Sequence, residues 1–294
     1  MSPYNQHMPK RLTPTQIDQF HEQGFVSGVQ LLEPDACLEI ERRIEAFEAE
    51  RPNDAPWAFD IKANLLFDWV YDLSADELTL NAVEDLIGEN IFNTDTVFRI
   101  KEPGSGTNYG WHQDAVRIEV NPCFLIAYVA ITPSTPENGG LRVIPGSHKS
   151  VLPFEVVTNS DGQGKREVAR TLEVDESQAV DVTLEPGQVV FFSGLLVHGS
   201  QPNRSDQRRI AILTDYTSAE SKQLRGQGSG QLLRGSDSWG HIAPEPVPTG
   251  ICTPANAQLR REILSSYPEN PLMGPLAQGE LARFLDDPAF SQHS

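Results

Sequence analysis

The feature that most constrains the fold is a change in the spacing of apolar residues near Ile91. From Ile91 to about Tyr216, short apolar runs alternate with turn sequences such as PENGG at 136–140 and EPGQ at 185–188. Many short strands separated by turn residues are typical of β-sandwiches and β-barrels. Before Ile91 the apolar residues recur at helical spacing. We therefore expect a mainly β protein with flanking helices.

The boundaries of several elements follow from local signals. Thr13 is a candidate N-cap and Pro14 suits the first position of a helix, which Gly24 ends. Further helices are expected at 34–50, 78–87 and about 256–266. Strands are expected at 25–29, 91–101, 123–132, 141–144, 179–184, 189–192 and 209–216. The polar segment 158–170 and the glycine-rich segment 226–230 are predicted to be loops that cover the site.

The 294 residues suit a single domain, and we find no internal repeat. We divide the chain into a helical N-terminal part at 1–90, a β core at 91–216 and a C-terminal arm at 217–294. The arm is rich in glycine, serine and proline, which favours an irregular segment packed on the core over a second domain.

The net charge of −18 and the lack of a Lys/Arg-rich run argue against binding to nucleic acid or to anionic membranes. The N-terminus lacks the apolar run of a signal peptide, and no stretch approaches a membrane span. Three scattered cysteines, Cys37, Cys123 and Cys252, suit a reducing compartment. We expect a cytoplasmic protein with a small-molecule substrate and neither nucleic acid nor membrane as partner. A homodimer is left open.

Three residues form a candidate metal site. His112 and Asp114 are two positions apart, so in an extended chain their side chains point to the same face. His198 follows an apolar strand at 189–192. Two histidines and one carboxylate that leave coordination positions open are typical of non-heme iron(II) oxygenases.

Each part of this constellation has a simpler interpretation on its own. His-x-Asp is more often a surface hydrogen-bonding pair, and His198 beside apolar residues is more often a satisfied buried histidine. Arg208 and Arg209, which follow the turn at 202–206, favour the metal site over these simpler interpretations. A guanidinium matches a carboxylate in bidentate fashion, as the far end of 2-oxoglutarate requires. The simpler interpretation of Arg208 and Arg209 is a solvated pair at a strand edge. At most one of two adjacent strand residues can face inward.

Three sequence blocks resemble the phytanoyl-CoA dioxygenase family of iron- and 2-oxoglutarate-dependent oxygenases. They are WHQD at 111–114, TPENGGLRVIPGSH at 135–148, and HGSQPNRS at 198–205 with its continuation to Arg209. The resemblance extends from about Thr13 to Tyr216. It implies a double-stranded β-helix, that is, a cupin-like jelly roll with the metal at one open end. It also implies Fe(II), 2-oxoglutarate and O₂ as the reacting groups, with release of succinate and CO₂.

The resemblance also implies roles for individual residues. Arg209, eleven positions after the second metal histidine, would grip the far carboxylate of 2-oxoglutarate, and Ser200 would assist it. Tyr128 stands where many members have tryptophan and would line the co-substrate pocket. Lys62 resembles a family lysine that reaches toward the co-substrate or the substrate. His148 matches the family sequence but lies in a turn, and we interpret it as structural.

Two features bear on the reaction and the substrate. Family members that halogenate lack the metal carboxylate, so the presence of Asp114 favours hydroxylation. Arg117 lies where many relatives have aromatic residues and is a candidate contact for an anionic substrate; a solvated edge arginine is the somewhat favoured alternative.

We therefore expect a hydroxylase that acts on an unactivated C–H bond of a small polar or anionic metabolite or natural-product intermediate. The alternatives are a non-catalytic cupin-like binding protein, which would not need Arg209, and a desaturating or cyclising enzyme. A zinc- or manganese-dependent isomerase or hydrolase on the same fold is a further alternative.

Overall fold

Two β-sheets pack against each other at the centre of the computed structural model, which describes residues 9–117, 119–160, 165–224 and 226–266. The strands are β1 Phe25–Gln30, β2 Ile91–Lys101, β3 Tyr109–His112, β4 Val120–Asn121, β5 Leu125–Ala130, β6 Leu141–Val143, β7 Phe154–Ser160, β8 Lys165–Thr171, β9 Val180–Asp181, β10 Gln188–Ser193, β11 His198–Ser200, β12 Arg209–Ser218, β13 Lys222–Gln223, β14 Gly228–Arg234 and β15 Ile242–Pro244. The helices are α1 Pro14–Gln23, α2 Pro34–Glu50, α3 Ala55–Ala58, α4 Asp68–Ser74, α5 Glu77–Ile87 and α6 Pro254–Ser265. Four 3₁₀ turns lie at Ala63–Leu65, Asp114–Arg117, Ser147–Lys149 and Glu176–Gln178.

The major sheet has the order β1-β10-β5-β12-β2-β14-β15, and the minor sheet has the order β7-β8-β3-β11-β6-β9. Neighbouring strands are antiparallel except for β14 and β15. Side chains of both sheets meet in one core, where Leu141 and Val143 of the minor sheet pack with Ile126 and Phe192 of the major sheet. This arrangement confirms the predicted fold class, a mainly β jelly roll with flanking helices.

The major sheet is buried on both faces. Along β12, Ala211 belongs to the core between the sheets, whereas Ile210 and Ile212 belong to the core that the helices cover. Because side chains alternate along a strand, this assigns Arg209, Leu213 and the other odd-numbered positions to the inner face. On the helix side the central strands are mainly apolar, with the buried hydroxyls of Thr96 and Thr214 paired to each other at 3.2 Å, whereas the charged side chains lie between the sheets.

An aromatic cluster anchors β2 to the helical layer. The ring of Phe98 stacks on Phe59 at 4.6 Å between centroids and meets the edge of Trp69 at 5.8 Å, with Phe67 at 6.5 Å. Phe98 is 1% exposed. Its strand neighbours Val97 and Arg99 point to the opposite face of the sheet. The cluster therefore fixes the strand whose other face borders the site.

We expect Phe98→Ala to lower the free energy of unfolding by about 3–5 kcal/mol, because it removes a ring from a closely packed core. Urea denaturation followed by circular dichroism measures the change. The control is Val156→Ala, at a position that is 51% exposed, which we expect to change stability by less than about 0.5 kcal/mol. Equal effects of the two substitutions would contradict this description of the core.

Helix α1 forms as its sequence predicts. The Thr13 side chain accepts a hydrogen bond from the Gln16 backbone, the Gln16 side chain caps Thr13 in return, and Gly24 ends the helix with φ of 84°. The strand at 91–101 and the helix near 256–266 are also present at or close to the predicted bounds.

Several other predictions are wrong. The described residues of the segment 158–170 do not form a loop, because they belong to the antiparallel pair β7 and β8, whose polar sequence suits an edge of the minor sheet. The glycine-rich segment 226–230 runs into β14, which pairs with β2. A side chain at Gly230 would place its Cβ 2.7 Å from the carbonyl oxygen of Asn93, so this glycine permits close strand approach. The strand expected at 179–184 is reduced to β9.

Both ends of the chain add strands to the core. β1, from the helical N-terminal part, pairs with β10, and β14 and β15, from the C-terminal arm, extend the major sheet beyond β2. In the described part of the chain, no helix has both the length and the apolar character needed to cross a membrane. Cys37, Cys123 and Cys252 are all free.

Candidate metal and co-substrate site

Strand pairing brings the three predicted metal ligands together. His112 ends β3 and His198 begins β11, and the two residues are direct partners in the antiparallel register. The sequence predicted an extended segment at Asp114. In the structure Asp114 is instead the first residue of the 3₁₀ turn Asp114–Arg117. One ligand atom from each residue lies within 4.8 Å of the others. This is the only such cluster of histidine, cysteine and carboxylate side chains among the described residues.

The backbone orients both imidazoles. His112 Nδ1 lies 2.7 Å from the carbonyl oxygen of Gly110, and His198 Nδ1 lies 3.0 Å from that of Leu196. An Nδ1–H that donates to a carbonyl leaves the lone pair on Nε2. Each Nε2 lies 3.4 Å from an oxygen of Asp114, so the two ring nitrogens and the carboxylate border one small space.

The local electrostatics favour the metal-binding protonation states of His198 and Asp114, whereas the pKa of His112 shifts the opposite way. Burial, with the nearby His112, lowers the pKa of His198 to about 4, so this imidazole is neutral at pH 7. Burial opposes ionisation of Asp114, yet the two histidines hold its pKa below the usual range. Asp114 in turn raises the pKa of His112 against the effect of burial. Metal ligands of these types must be deprotonated to bind.

The donor set fits iron(II). Two imidazole nitrogens and one carboxylate oxygen on one side of a metal are the ligands of oxygen-activating non-heme iron sites. His112 and Asp114 are partly exposed, with 21% and 36% of their side-chain surface accessible, whereas His198 is 7% exposed. The open side of the cluster is therefore available to further ligands.

Gln113, between two of the ligands, is a positioning residue that sequence reasoning missed. Its side chain is 1% exposed and points away from the metal ligands. Its amide nitrogen donates to the carbonyl oxygens of Ser150 and Leu195, and its amide oxygen accepts from the backbone of Leu152. These three bonds tie the His112–Asp114 segment to the loop before β7 and to the loop before β11.

We expect Gln113→Leu to lower iron affinity by about 10- to 100-fold, the usual effect of removing a residue that orients metal ligands. It also removes the side-chain partner of three part-buried backbone groups, which destabilises the fold. Competition with a chelator measures affinity, and Gln178→Leu, at an exposed position, is the control. An unchanged iron affinity in Gln113→Leu would show that the segment holds its shape without this side chain.

A buried arginine lies on the inner face of the major sheet. Arg209 is 2% exposed, and its Nη1 donates to Tyr128 Oη at 2.8 Å. Tyr128 Oη in turn lies 3.1 Å from Ser134 Oγ. Arg209 Nε is buried without a hydrogen-bond partner, and no carboxylate of the described residues pairs with this guanidinium. A buried cation without a counter-ion fits a site for an anionic ligand.

The neighbouring arginine has a different environment. Arg208 pairs with Glu48 at 2.5 Å and with Glu102 at 2.8 Å. The structure thus separates the two candidates: Arg208 has its counter-ions in the flanking elements, and Arg209 faces the interior without one.

Ser200 lies on the same strand as His198, and its hydroxyl accepts a 2.7 Å hydrogen bond from Lys101 Nζ. Lys101 ends β2 and is the direct cross-strand partner of Arg209. Sequence reasoning missed Lys101. Strand alternation could have placed it on the inner face, but nothing in the sequence shows that it lies opposite Arg209.

The remaining predicted residues stand apart from this group. Lys62 is fully buried, and its ammonium pairs with Glu245 at 2.6 Å and donates to the carbonyl oxygens of Thr94 and Ser229. Its backbone N–H donates to Asp95. A contact of Lys62 with the co-substrate remains a prediction without support from these partners. The side chain of Arg117 lies outside the described part of the chain.

His148 has a structural setting, as expected. Its Nε2 lies 3.2 Å from the carbonyl oxygen of His21. A Cβ built at Gly24 would lie 2.4 Å from its Nδ1, so the ring packs closely on the end of α1.

Charged side chains continue along the inner face of β2. Arg99 lies 3.6 Å from Asp60, and its guanidinium lies over the ring of Tyr109 at 5.8 Å. Its charge also acts on the three metal ligands.

Further along β2, Asp95 is the direct register partner of Asp215 on β12. Burial, together with the charge of Asp95, raises the pKa of Asp215 well above its usual range.

Comparisons with known proteins agree with this geometry. The family model described as phytanoyl-CoA dioxygenase (PhyH) matches residues 20–211, about two thirds of the chain. Methylphosphonate hydroxylase from Gimesia maris is 26% identical over 231 residues, which cover 74% of this chain and 85% of that protein. Human peroxisomal phytanoyl-CoA dioxygenase is 32% identical over 158 residues, which cover 52% of this chain and 47% of the relative. The chain thus spans about half the length of the mammalian relative.

The solved structure of the non-heme monooxygenase ThoJ superposes with a TM-score of 0.74 at 26% identity, covering 90% of this chain and 98% of that one. The fold is also that of CytC3, solved with Fe(II) and alpha-ketoglutarate, at a TM-score of 0.59 and 21% identity, covering 83% of this chain and 99% of that one. The family match, the His-Asp-His cluster and the uncompensated arginine agree, and the chain belongs to the phytanoyl-CoA dioxygenase family of iron(II)- and 2-oxoglutarate-dependent oxygenases.

Proposed function

We propose that this protein hydroxylates an unactivated C–H bond of a small polar or anionic metabolite while 2-oxoglutarate is converted to succinate and CO₂. The observation that supports the proposal most strongly is the pairing of two features. A metal-binding cluster is formed by His112 and His198 of the minor sheet and by Asp114 in the turn after β3. The buried Arg209, which has no carboxylate partner among the described residues, lies on the major sheet. A binding protein of the same fold would have no need of the second feature.

Each residue of the site has a defined role in this proposal. His112, Asp114 and His198 would hold iron(II) through Nε2 and carboxylate oxygens. Arg209 would bind the far carboxylate of 2-oxoglutarate, and Tyr128 holds the guanidinium in place through its 2.8 Å hydrogen bond. When bound, iron with 2-oxoglutarate and O₂ supplies the oxidising power, and one oxygen atom enters the substrate while the other enters succinate. The protein provides the position of the C–H bond and excludes water from the space between the sheets.

The presence of Asp114 supports hydroxylation over halogenation. Halogenating members of the family lack this carboxylate, and its place is free for chloride. Here both oxygens of Asp114 face the two imidazoles at 3.4 Å, so the carboxylate occupies the third ligand position.

Arg99 supports a substrate with an anionic group. It lies on the inner face of β2, and its charge acts on the metal ligands. Among the described residues its ion pair is with Asp60 at 3.6 Å, and the charges of Asp95 and Asp114 also act on it. A guanidinium has five N–H donors, so donors remain for another anion. One relative matched over most of its length is named for methylphosphonate, a small anion. We extend that class, a compact phosphonate or carboxylate, to this chain.

The test is a screen for compounds that stimulate succinate release from Fe(II)-loaded protein, 2-oxoglutarate and O₂. The panel holds small phosphonates, carboxylates, zwitterionic amino-acid derivatives and a long-chain acyl thioester. We expect stimulation by a small anion, and a product that gains one atom of ¹⁸O from ¹⁸O₂. Stimulation by the thioester alone would contradict the substrate class. A product that lacks ¹⁸O and has lost two hydrogens would instead show desaturation or cyclisation.

A further inference from the structure

The end of β2 places a second buried cation beside Arg209. Lys101 is 1% exposed, and its Cα is the direct register partner of that of Arg209 on the neighbouring strand. Directly opposed residues of antiparallel strands project from the same face, with Cβ atoms about 4.5–5.5 Å apart. Lys101 and Arg209 therefore project together into the space between the sheets.

Two like charges in this arrangement destabilise a sheet unless an anion lies between them. Among the described residues, no carboxylate forms an ion pair with either Lys101 or Arg209. The charged group that acts on Lys101 is the guanidinium of Arg209, and the ring of Tyr109 lies 5.4 Å from Nζ. The described part of the protein therefore supplies no counter-charge for this pair.

The position of Lys101 is closely defined by its neighbours. Nζ donates to Ser200 Oγ at 2.7 Å and to the carbonyl oxygen of Gln201 at 2.5 Å. Asn203 donates to the Lys101 carbonyl oxygen at 3.0 Å. Gly139 leaves room for the side chain, because a Cβ there would lie 3.0 Å from both Cδ and Nζ. An ammonium has three N–H donors, so one remains after these two bonds.

Ser200 connects this ammonium to the metal site. It lies two residues after His198 on β11, so the same short strand presents a metal ligand and the hydroxyl that binds Lys101. A ligand that reaches from the metal toward the major sheet would meet Ser200, Lys101 and Arg209 together.

We propose that Lys101 binds the far carboxylate of the keto-acid co-substrate together with Arg209, and that it makes the site selective for a dicarboxylate over a keto acid without that second carboxylate. This inference rests on the proposed dependence on 2-oxoglutarate. It predicts that the dicarboxylate brings the counter-charge that the protein lacks, and that Lys101 takes up a proton when the ligand binds.

The charge state of Lys101 agrees with this role. Burial, reinforced by the charge of Arg209, lowers its pKa to about 7. A carboxylate placed against it raises the pKa again, because the charged form gains a partner. Affinity for a dicarboxylate should therefore be constant below about pH 7 and fall above it by up to tenfold per pH unit, until the pKa of the complex is reached.

The first experiment uses the unmodified protein, loaded with Fe(II) under anaerobic conditions. Calorimetry measures the affinity for 2-oxoglutarate and for 2-oxopentanoate, which has a methyl group in place of the far carboxylate, between pH 6 and 9. Titration of the metal ligands affects both compounds equally. We expect the ratio of the two affinities to fall as pH rises above 7, with proton uptake at pH 8 for 2-oxoglutarate alone. A constant ratio would overturn the proposal.

The second experiment compares Lys101→Met with Lys222→Met, which removes an exposed lysine. Because Lys101→Met removes a charge-assisted hydrogen bond, we expect it to lower the affinity for 2-oxoglutarate about 10- to 100-fold. The affinity for 2-oxopentanoate should change by no more than about twofold. Equal weakening of both compounds would assign Lys101 a structural role and overturn the proposal. If Lys101→Met does not fold, the pH comparison decides. If neither keto acid binds the unmodified protein, the proposed function fails, which is a different result from failure of Lys101.

Discussion

Replacement of His198 with alanine should abolish both retention of iron and release of succinate. His198 is the least exposed of the three ligands and has a pKa lowered to about 4, so it supplies a neutral imidazole over the whole physiological range. Two remaining ligands, of which Asp114 is one-third exposed, cannot hold iron against water and buffer. Iron content after desalting, together with succinate formed in the presence of 2-oxoglutarate and O₂, measures the outcome.

The matched control is His241→Ala. His241 has its own contact with the carbonyl oxygen of Glu220 and lies outside the cluster. This variant should retain iron and activity. Succinate release that survived His198→Ala but not His241→Ala would place the metal elsewhere and remove the basis of the proposed function.

Replacement of Arg209 with methionine should raise the KM for 2-oxoglutarate by about 10²- to 10³-fold, because loss of one partner of a buried charge pair costs about 2–5 kcal/mol. Methionine fills much of the same volume without the charge. The effect should appear in KM for the co-substrate and not in the affinity for iron, since Arg209 contacts Tyr128 and not a metal ligand.

Arg208→Met provides the control on the adjacent residue. It removes the contacts with Glu48 and Glu102 and should change stability by about 1 kcal/mol or less, with the KM for 2-oxoglutarate unchanged. If the two variants exchanged their effects, the assignment of the inward-facing arginine would be wrong.

The sequence predicts those parts of the structure that depend on local chemistry. The capping box at Thr13 and Gln16 defines the start of α1, and the alternation of side chains along 91–101 defines β2. The ligands His112, Asp114 and His198 could be named because a metal site needs particular residue types at particular spacings. Their convergence in the structure depends on the pairing of β3 with β11, which was not predicted from the sequence; the family resemblance implied only a jelly roll with the metal at one open end.

The remaining features depend on contacts between distant segments. Lys101 could not be linked to Arg209 from sequence, because a shift of one residue in strand register would place it on the other face. Lys62 has its ammonium against Glu245, which is far away in the chain, and no local signal predicts that pair. The polar composition of 158–170 suggested a loop, since an exposed edge strand needs little apolar surface.

The measurement that tests the central claim most directly is an anaerobic titration of the protein with Fe(II) and then with 2-oxoglutarate, followed by visible absorption and by succinate formation after O₂ is admitted. We predict a weak visible band that saturates with one iron and one 2-oxoglutarate per chain and is absent in His198→Ala. The appearance of succinate should follow. No band and no succinate from iron-loaded, folded protein would contradict an iron(II) and 2-oxoglutarate site at His112, Asp114 and His198.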